Sequence, residues 1–192
     1  MIISVYCSGS IAKGEGDERK LCWTDVERKQ VQEGAHPLEV VFLNPDDPIT
    51  DPTNVLGQFG RDMYQVLLAS AVVVDARERR GLGIGVEMAA AAALRTPVIV
   101  VAPRNSKYRR DHLEYRGARV SDYVHPHVAS LALAVVDDFS QAGEVLRVLP
   151  AAPPDPVVTP AWLRASIDEY RYHVLGGDQP MLDALHRLGV HR

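Results

Sequence analysis

The sequence predicts an α/β fold: a flavodoxin-like or Rossmann-like three-layer sandwich around a five-stranded parallel sheet, with a C-terminal helical extension. Three observations predict it. Short apolar runs rich in β-branched residues alternate with longer segments of helical periodicity, the rhythm of βαβ units. The strand-like runs are apolar at almost every position, as in a parallel sheet covered on both faces. The length of 192 residues suits one such domain with an appendage and is short for two.

The elements follow in order. "IISVYC" (2–7) reads as the first strand, and a helix is expected over about 17–33. "EVVFL" (39–43) is the second strand, followed by a helix over 55–70 with Val55, Phe59, Met63, Val66 and Leu67 at helical spacing. "AVVVDA" (71–76) is the third strand and leads through a glycine-rich turn to a helix over 84–95. "TPVIVVA" (96–102) and "LALAVV" (131–136) are the fourth and fifth strands, and a helix over 140–149 closes the series. "PAAPPDP" (150–156) stiffens the chain and ends that helix, setting a catalytic domain of 1–150 apart from a proline-rich linker and helical tail at 151–192. In the tail, 160–175 and 180–190 read as two helices outside the sandwich, a packing or oligomer element.

Composition excludes several classes. The formal net charge of −4 supplies no general attraction to a nucleic acid polymer or an anionic membrane. No apolar run approaches the roughly 18 residues that span a bilayer, and "MIISVYCSGS" lacks the basic flank and cleavage site of a signal peptide, so a cytoplasmic protein is expected. Cys7 and Cys22 fit no metal spacing and no disulfide framework, which leaves reduced thiols.

Three stretches carry candidate chemistry. In "RRGLGIGVEMAAAAAL" (79–94), Gly81, Gly83 and Gly85 run into an alanine-rich helix. A dinucleotide fingerprint fails there, because the third glycine position is Val86 counted from Gly81 and Met88 counted from Gly83. What remains is a helix N-terminus whose N–H groups bind an anion or hold the Glu87 carboxylate ionised in the first turn. A tight strand-to-helix turn, with Glu87 only complementing the dipole, has the same pattern. In "YCSGSIAKG" (6–14), Ser8, Gly9 and Ser10 leave backbone N–H groups open to a phosphate or sugar oxygen, and Tyr6 ends the strand. Asp62 lies on the helix leading into the third strand and, taken alone, reads as a solvated charge.

In order and spacing these stretches resemble the nucleoside 2-deoxyribosyltransferase family, including its nucleoside 5′-monophosphate N-glycosidase branch, over roughly residues 1–150. The family's tyrosine at the end of strand one, its aspartate on the helix before strand three and the glutamate of its "GLGxGxE" or "GxGxE" turn match Tyr6, Asp62 and Glu87. "SGSIAKG" is similar to the "GSIRGG" loop of the monophosphate hydrolases.

The resemblance implies an enzyme that needs no cofactor or metal. Glu87 would be the nucleophile at C1′, Asp62 the general acid for the departing base and Tyr6 a donor that orients Glu87. Water would resolve the glycosyl-enzyme in a hydrolase and a second base in a transferase. Substrate would be held by Ser8, Gly9, Ser10, Ile11 and Lys13 of the first loop and by Gly81, Gly83 and Gly85, with the base met by loops such as "NPDDPITDP" (44–52).

Departures from the family refine this. Gly81 stands where the transferases carry an acid for the 5′-hydroxyl and the hydrolases a serine. The missing acid, with Arg79, Arg80 and Lys13 nearby, leans toward a 5′-phosphorylated substrate, although Ala12 replaces the hydrolases' first-loop arginine. The stretch 104–128 is longer than in the family, and Arg109, Arg110 and His112 would reach a neighbouring subunit's pocket, implying a homodimer or higher homo-oligomer. Trp162, Leu163, Tyr170 and Leu175 would help to cover that joint. His125 and His127 flank Pro126 and read as a loop rather than a metal pair. The expected function is hydrolysis of a nucleoside 5′-monophosphate at its N-glycosidic bond. The alternatives are base exchange on free deoxynucleosides and a non-catalytic nucleotide-sensing module.

Overall fold

A computed structural model of the chain describes residues 1–10, 23–46, 51, 53–78, 81–149 and 161–190, with the side chain of Trp162 left aside. In chain order the strands are β1 (Ile2–Ser8), β2 (Glu39–Leu43), β3 (Ala71–Asp75), β4 (Val98–Val101), β5 (Arg109–Tyr115), β6 (Ala118–Val124) and β7 (Ala134–Val136). The helices are α1 (Asp25–Ala35), α2 (Val55–Leu68), α3 (Leu82–Ala93), α4 (Pro126–Leu131), α5 (Phe139–Arg147), α6 (Ala161–Glu169) and α7 (Gln179–Leu188).

Five strands pair in parallel in the order β2-β1-β3-β4-β7, which is the doubly wound, flavodoxin-like order. Their apolar sequences are explained by burial on both faces. Val5, Val73, Ile99 and Val101 face α1 and α5, whereas Tyr6, Val72, Val74 and Val100 face α2 and α3. The strand order reverses between β1 and β3, so the crevice outside their carboxyl ends is where this topology binds ligands.

Local signals set the helix ends. Thr24 and Glu27 form a capping box at the start of α1, and the Asn54 side chain accepts from the Gly57 N–H at the start of α2. Helices α1 and α5 approach to backbone contact at Gly34, where a Cβ would overlap the Ser140 carbonyl oxygen.

The tail is a packing element, as expected, but differs in its place. Rather than lying outside the sandwich, α7 packs on β2 and β1, and α6 packs on α2. Leu163, Ile167, Tyr170, Leu175, Met181 and Leu185 are buried in the same core as Met63, Tyr64 and Val66. Leu163, Tyr170 and Leu175, expected to help cover a subunit joint, are therefore consumed within their own chain. Gly60 permits the contact, because a Cβ there would overlap the Ser166 carbonyl oxygen. A buried ion pair locks it: Arg61 Nε lies 2.5 Å from Asp178 Oδ2, which also accepts from the Tyr170 hydroxyl at 2.8 Å. Between α6 and α7 the chain makes a π-helical turn (Tyr170–Val174) and a 3₁₀ turn (Leu175–Gly177).

Two further differences bear on the site. The stretch beyond β4 forms an antiparallel hairpin, β5–β6, and α4 begins with Pro126 in its first turn. The hairpin strands are largely exposed and polar, so no apolar run marked them. Helix α3 begins at Leu82, two residues before the expected start, which places Gly83 and Gly85 inside it. Among the described residues no helix is long and apolar enough to cross a membrane.

Candidate functional site

The carboxyl end of β1 and the second turn of α3 meet at the reversal of strand order. Tyr6 and Ser8, two positions apart on β1, point to the same face, and α3 follows the adjacent strand β3. Both hydroxyls converge on one carboxylate. Tyr6 Oη donates to Glu87 Oε1 at 2.9 Å, and Ser8 Oγ donates to Glu87 Oε2 at 2.5 Å. Glu87 is 8% exposed, while Tyr6 and Ser8 are fully buried.

Burial pushes the Glu87 carboxyl above the usual carboxylate range, and the hydrogen bonds from Ser8 and Tyr6 pull it back in part. This corrects the dipole argument. Because α3 starts at Leu82, Glu87 sits beyond the first turn, where the helix terminus no longer dominates. Its two hydroxyl donors, not the helix N-terminus, favour the ionised form. Burial also raises the Tyr6 phenol well above its ordinary value, and the charges of Glu87 and Asp62 push the same way. Tyr6 therefore remains a protonated donor. Asp62, half-buried on α2, is close enough for its charge to be felt at that phenol.

Ser8 has a role its place in the first loop did not suggest. The loop sequence points to its backbone N–H, whereas its hydroxyl grips Glu87; the period-2 alternation that places Ser8 on the face of Tyr6 is the signal for this role. Gly9 is half-buried beneath the Trp23 indole, whose Nε1 donates to the Ser8 carbonyl at 3.0 Å. Ser10 is half-buried. Ile11, Ala12 and Lys13, with Arg79, Arg80 and Cys22, lie outside the described residues, as does most of the 44–52 loop.

Three residues that the sequence did not single out hold the neighbouring loop. Arg77, just past β3, bonds Asp75 Oδ1 at 2.9 Å and Glu27 Oε1 at 3.0 Å, with its guanidinium 4.9 Å from the Phe139 ring centroid. Hydrogen bonds from Thr24 and Arg77 hold Glu27 below its ordinary pKa against the opposing pull of desolvation, the largest single influence. The network ties the loop that leads into α3 to helix α1.

Gly81, Gly83 and Gly85 are exposed, and a Cβ on any of them would meet nothing within 4 Å. Packing does not require them. Gly81 and Gly85 border an apolar cleft of about 840 Å³ whose walls include Ile84, Met88, Tyr108 and His125.

Arg109, Arg110 and His112 all fall on β5. Arg109 is engaged by Asp137 of its own chain at 3.0 Å. Arg110 borders a cleft of about 510 Å³ with Arg77, Glu78, Asn105, Ser106 and Lys107, and His112 is exposed. None of the three is hydrogen-bonded to Glu87. The His125 and His127 rings stand edge to face, 5.1 Å between centroids, with His127 in the short helix α4 rather than in a loop. No cluster of three or more metal-ligating side chains occurs among the described residues. Burial pushes the Cys7 thiol far up, leaving it a small core side chain.

No known family profile and no curated protein matches the sequence. Among solved structures, a 2-deoxyribosyltransferase from Bacillus psychrosaccharolyticus aligns with a TM-score of 0.48 and 13% identity, over 81% of this chain and 99% of its own. A 2-deoxyribosyltransferase from Leishmania mexicana aligns with a TM-score of 0.49 and 19% identity, over 77% of this chain and 99% of its own. At such identities and scores the alignments carry no statement about chemistry, which rests on the residues themselves.

Proposed function

We propose that the protein is an enzyme that cleaves the N-glycosidic bond of a nucleoside 5′-monophosphate, with Glu87 as nucleophile. The observation that carries this reading is the grip of two buried hydroxyls on a single buried carboxylate at the switch point of the sheet. A carboxylate so held is oriented and largely stripped of water, which suits attack on an oxocarbenium-like centre.

In this mechanism a Glu87 oxygen bonds to C1′ as the C1′–N bond breaks. The bonding pair leaves with the base, which receives a proton from Asp62. Water then attacks C1′ from the freed side, gives its proton to Asp62 and releases the sugar phosphate and Glu87. Tyr6 and Ser8 hold the carboxylate throughout. Arg110 and Lys107, on the cationic cleft beyond β4, are the candidates for the 5′-phosphate, and serve a neighbouring subunit if the protein is a homodimer. Substrate approach over Gly81, Gly83 and Gly85 gives a reason for glycines that packing does not require.

A second base in place of water at the glycosyl-enzyme would give base exchange, and a pocket that binds without turnover would be a sensor. Incubation with nucleosides and their 5′-monophosphates, with and without a second free base, separates the three when products are resolved by chromatography. Hydrolysis predicts free base from monophosphates in water alone. New nucleoside formed only with the second base would replace hydrolysis by exchange, and tight binding with no released base would leave a sensor.

A further inference from the structure

The end of β1 is held from outside the sheet. Pairing of β1 with β2 stops at Tyr6 and Leu43, so Ser8 has only β3 beside it, opposite Val74. Its carbonyl accepts from the Trp23 indole Nε1 at 3.0 Å, while its hydroxyl donates to Glu87 Oε2 at 2.5 Å. Trp23 packs with the core on the α1 and α5 side of the sheet, whereas Glu87 belongs to α3 on the other side. Ser8 is the link between the two layers.

Trp23 is itself fixed in place. Its ring stands edge to face against Phe139 of α5, 4.8 Å between centroids, and its carbonyl accepts from Arg28 Nη1 at 3.3 Å. The next residue, Thr24, caps α1. The chain beyond Ser8 has little restraint of its own, because Gly9 has no Cβ. A Cβ there would lie 2.9 Å from Trp23 Cδ1 and 3.1 Å from Nε1. Glycine therefore lets the backbone pass close to the indole, and the freedom it brings is taken up by the indole hydrogen bond. A serine side chain has three staggered positions, and its hydroxyl keeps one partner only while the backbone that carries it is held.

We propose that Trp23 is a positioning residue for Glu87, acting through Ser8: its indole N–H fixes the end of β1, and the Ser8 hydroxyl so fixed orients the carboxylate. That Glu87 is a nucleophile rests on the function proposed above. The coupling of Trp23 to Glu87 does not.

The test titrates the Glu87 side-chain carboxyl by carbon NMR in the intact protein, the resonance being assigned by its absence in Glu87→Gln. Tyr6 and Cys7 on β1 and Asp62 on α2 are the other titratable groups at this junction, and none of them is altered. The bond from Ser8 opposes the effect of burial, so Ser8→Ala should move the titration to higher pH. Trp23→Phe, which keeps a ring against Phe139 and loses the N–H, should move it the same way by less. In the Ser8→Ala background Trp23→Phe should have no further effect, because the path it acts through is already gone. Replacing Trp23 by benzothienylalanine, which has sulfur in place of the indole N–H and nearly the same shape, should reproduce the shift. An unmoved titration in Trp23→Phe, a shift that persists in the Ser8→Ala background, or a wild-type titration with benzothienylalanine overturns the proposal. Should Trp23→Phe fail to fold, the benzothienylalanine protein decides. The predicted shifts in a protein that releases no base would uphold the positioning role and overturn the proposed function; turnover with an unmoved titration would do the reverse.

Discussion

Tyr6 and Glu87 stand 81 residues apart in the chain and 2.9 Å apart in the fold, joined by a fully buried phenol that donates to the carboxylate. The bond opposes the effect of burial on Glu87, so removing it has a definite sign. In Tyr6→Phe the Glu87 carboxyl should rise further, and the acid limb of the kcat/KM profile should move to higher pH with a moderate loss of rate. An unmoved acid limb would detach Tyr6 from the ionisation of Glu87.

Glu87→Gln should abolish turnover, by roughly a thousand-fold or more, with the fold retained. It should also change the pH dependence of stability. The carboxyl is raised on folding, so its favourable contribution is complete below the unfolded-state pKa and is lost as pH rises through the folded-state value. The variant should therefore unfold at or above the wild-type temperature at neutral pH, and its relative advantage should shrink as the pH is lowered. Thermal melts of both proteins across that range check the sign.

Asp62→Asn should slow substrates with poorly leaving bases far more than those with activated leaving groups, since only the former need a strong acid. The comparison is of kcat for a natural nucleotide and for a nitrophenyl glycoside analogue. Equal slowing of both would remove Asp62 from proton donation.

Asp178→Ala leaves the guanidinium of Arg61, 2% exposed, without its carboxylate. Breaking a buried pair from one side costs about 3–5 kcal/mol, so the urea midpoint should fall steeply. Replacing both partners by apolar residues, as in Arg61→Met with Asp178→Leu, should recover much of the loss. A neutral Asp178→Ala would show that the tail is not anchored here.

If Arg110 serves a neighbour's pocket, mixing Glu87→Gln with Arg110→Ala should restore activity that neither parent has, because one hybrid pocket receives both intact halves. Sedimentation should then show a dimer or larger assembly. A monomer with full activity on monophosphates would return the phosphate to groups of a single chain.

The parallel sheet was legible in the sequence because apolar, β-branched runs such as "AVVVD" are buried on both faces and admit few other environments. Tyr6, Asp62 and Glu87 stand out in the sequence only through an order and spacing that resemble those of a known family, since Asp62 taken alone reads as a solvated charge. Other features were decided only in three dimensions. The ionisation of Glu87 could not be read locally, because it depends on its depth of burial and on two hydroxyls from a distant strand. Polar and charged residues break up the β5–β6 hairpin, whose strands are largely exposed, so it carries no continuous apolar run. The apolar tail residues Leu163, Tyr170 and Leu175 are visible in the sequence, but apolar character says only that something must cover them. That α2 is part of the cover was decided by a backbone approach at Gly60 and a buried charge pair between Arg61 and Asp178, contacts made across more than a hundred residues of chain that no local pattern encodes.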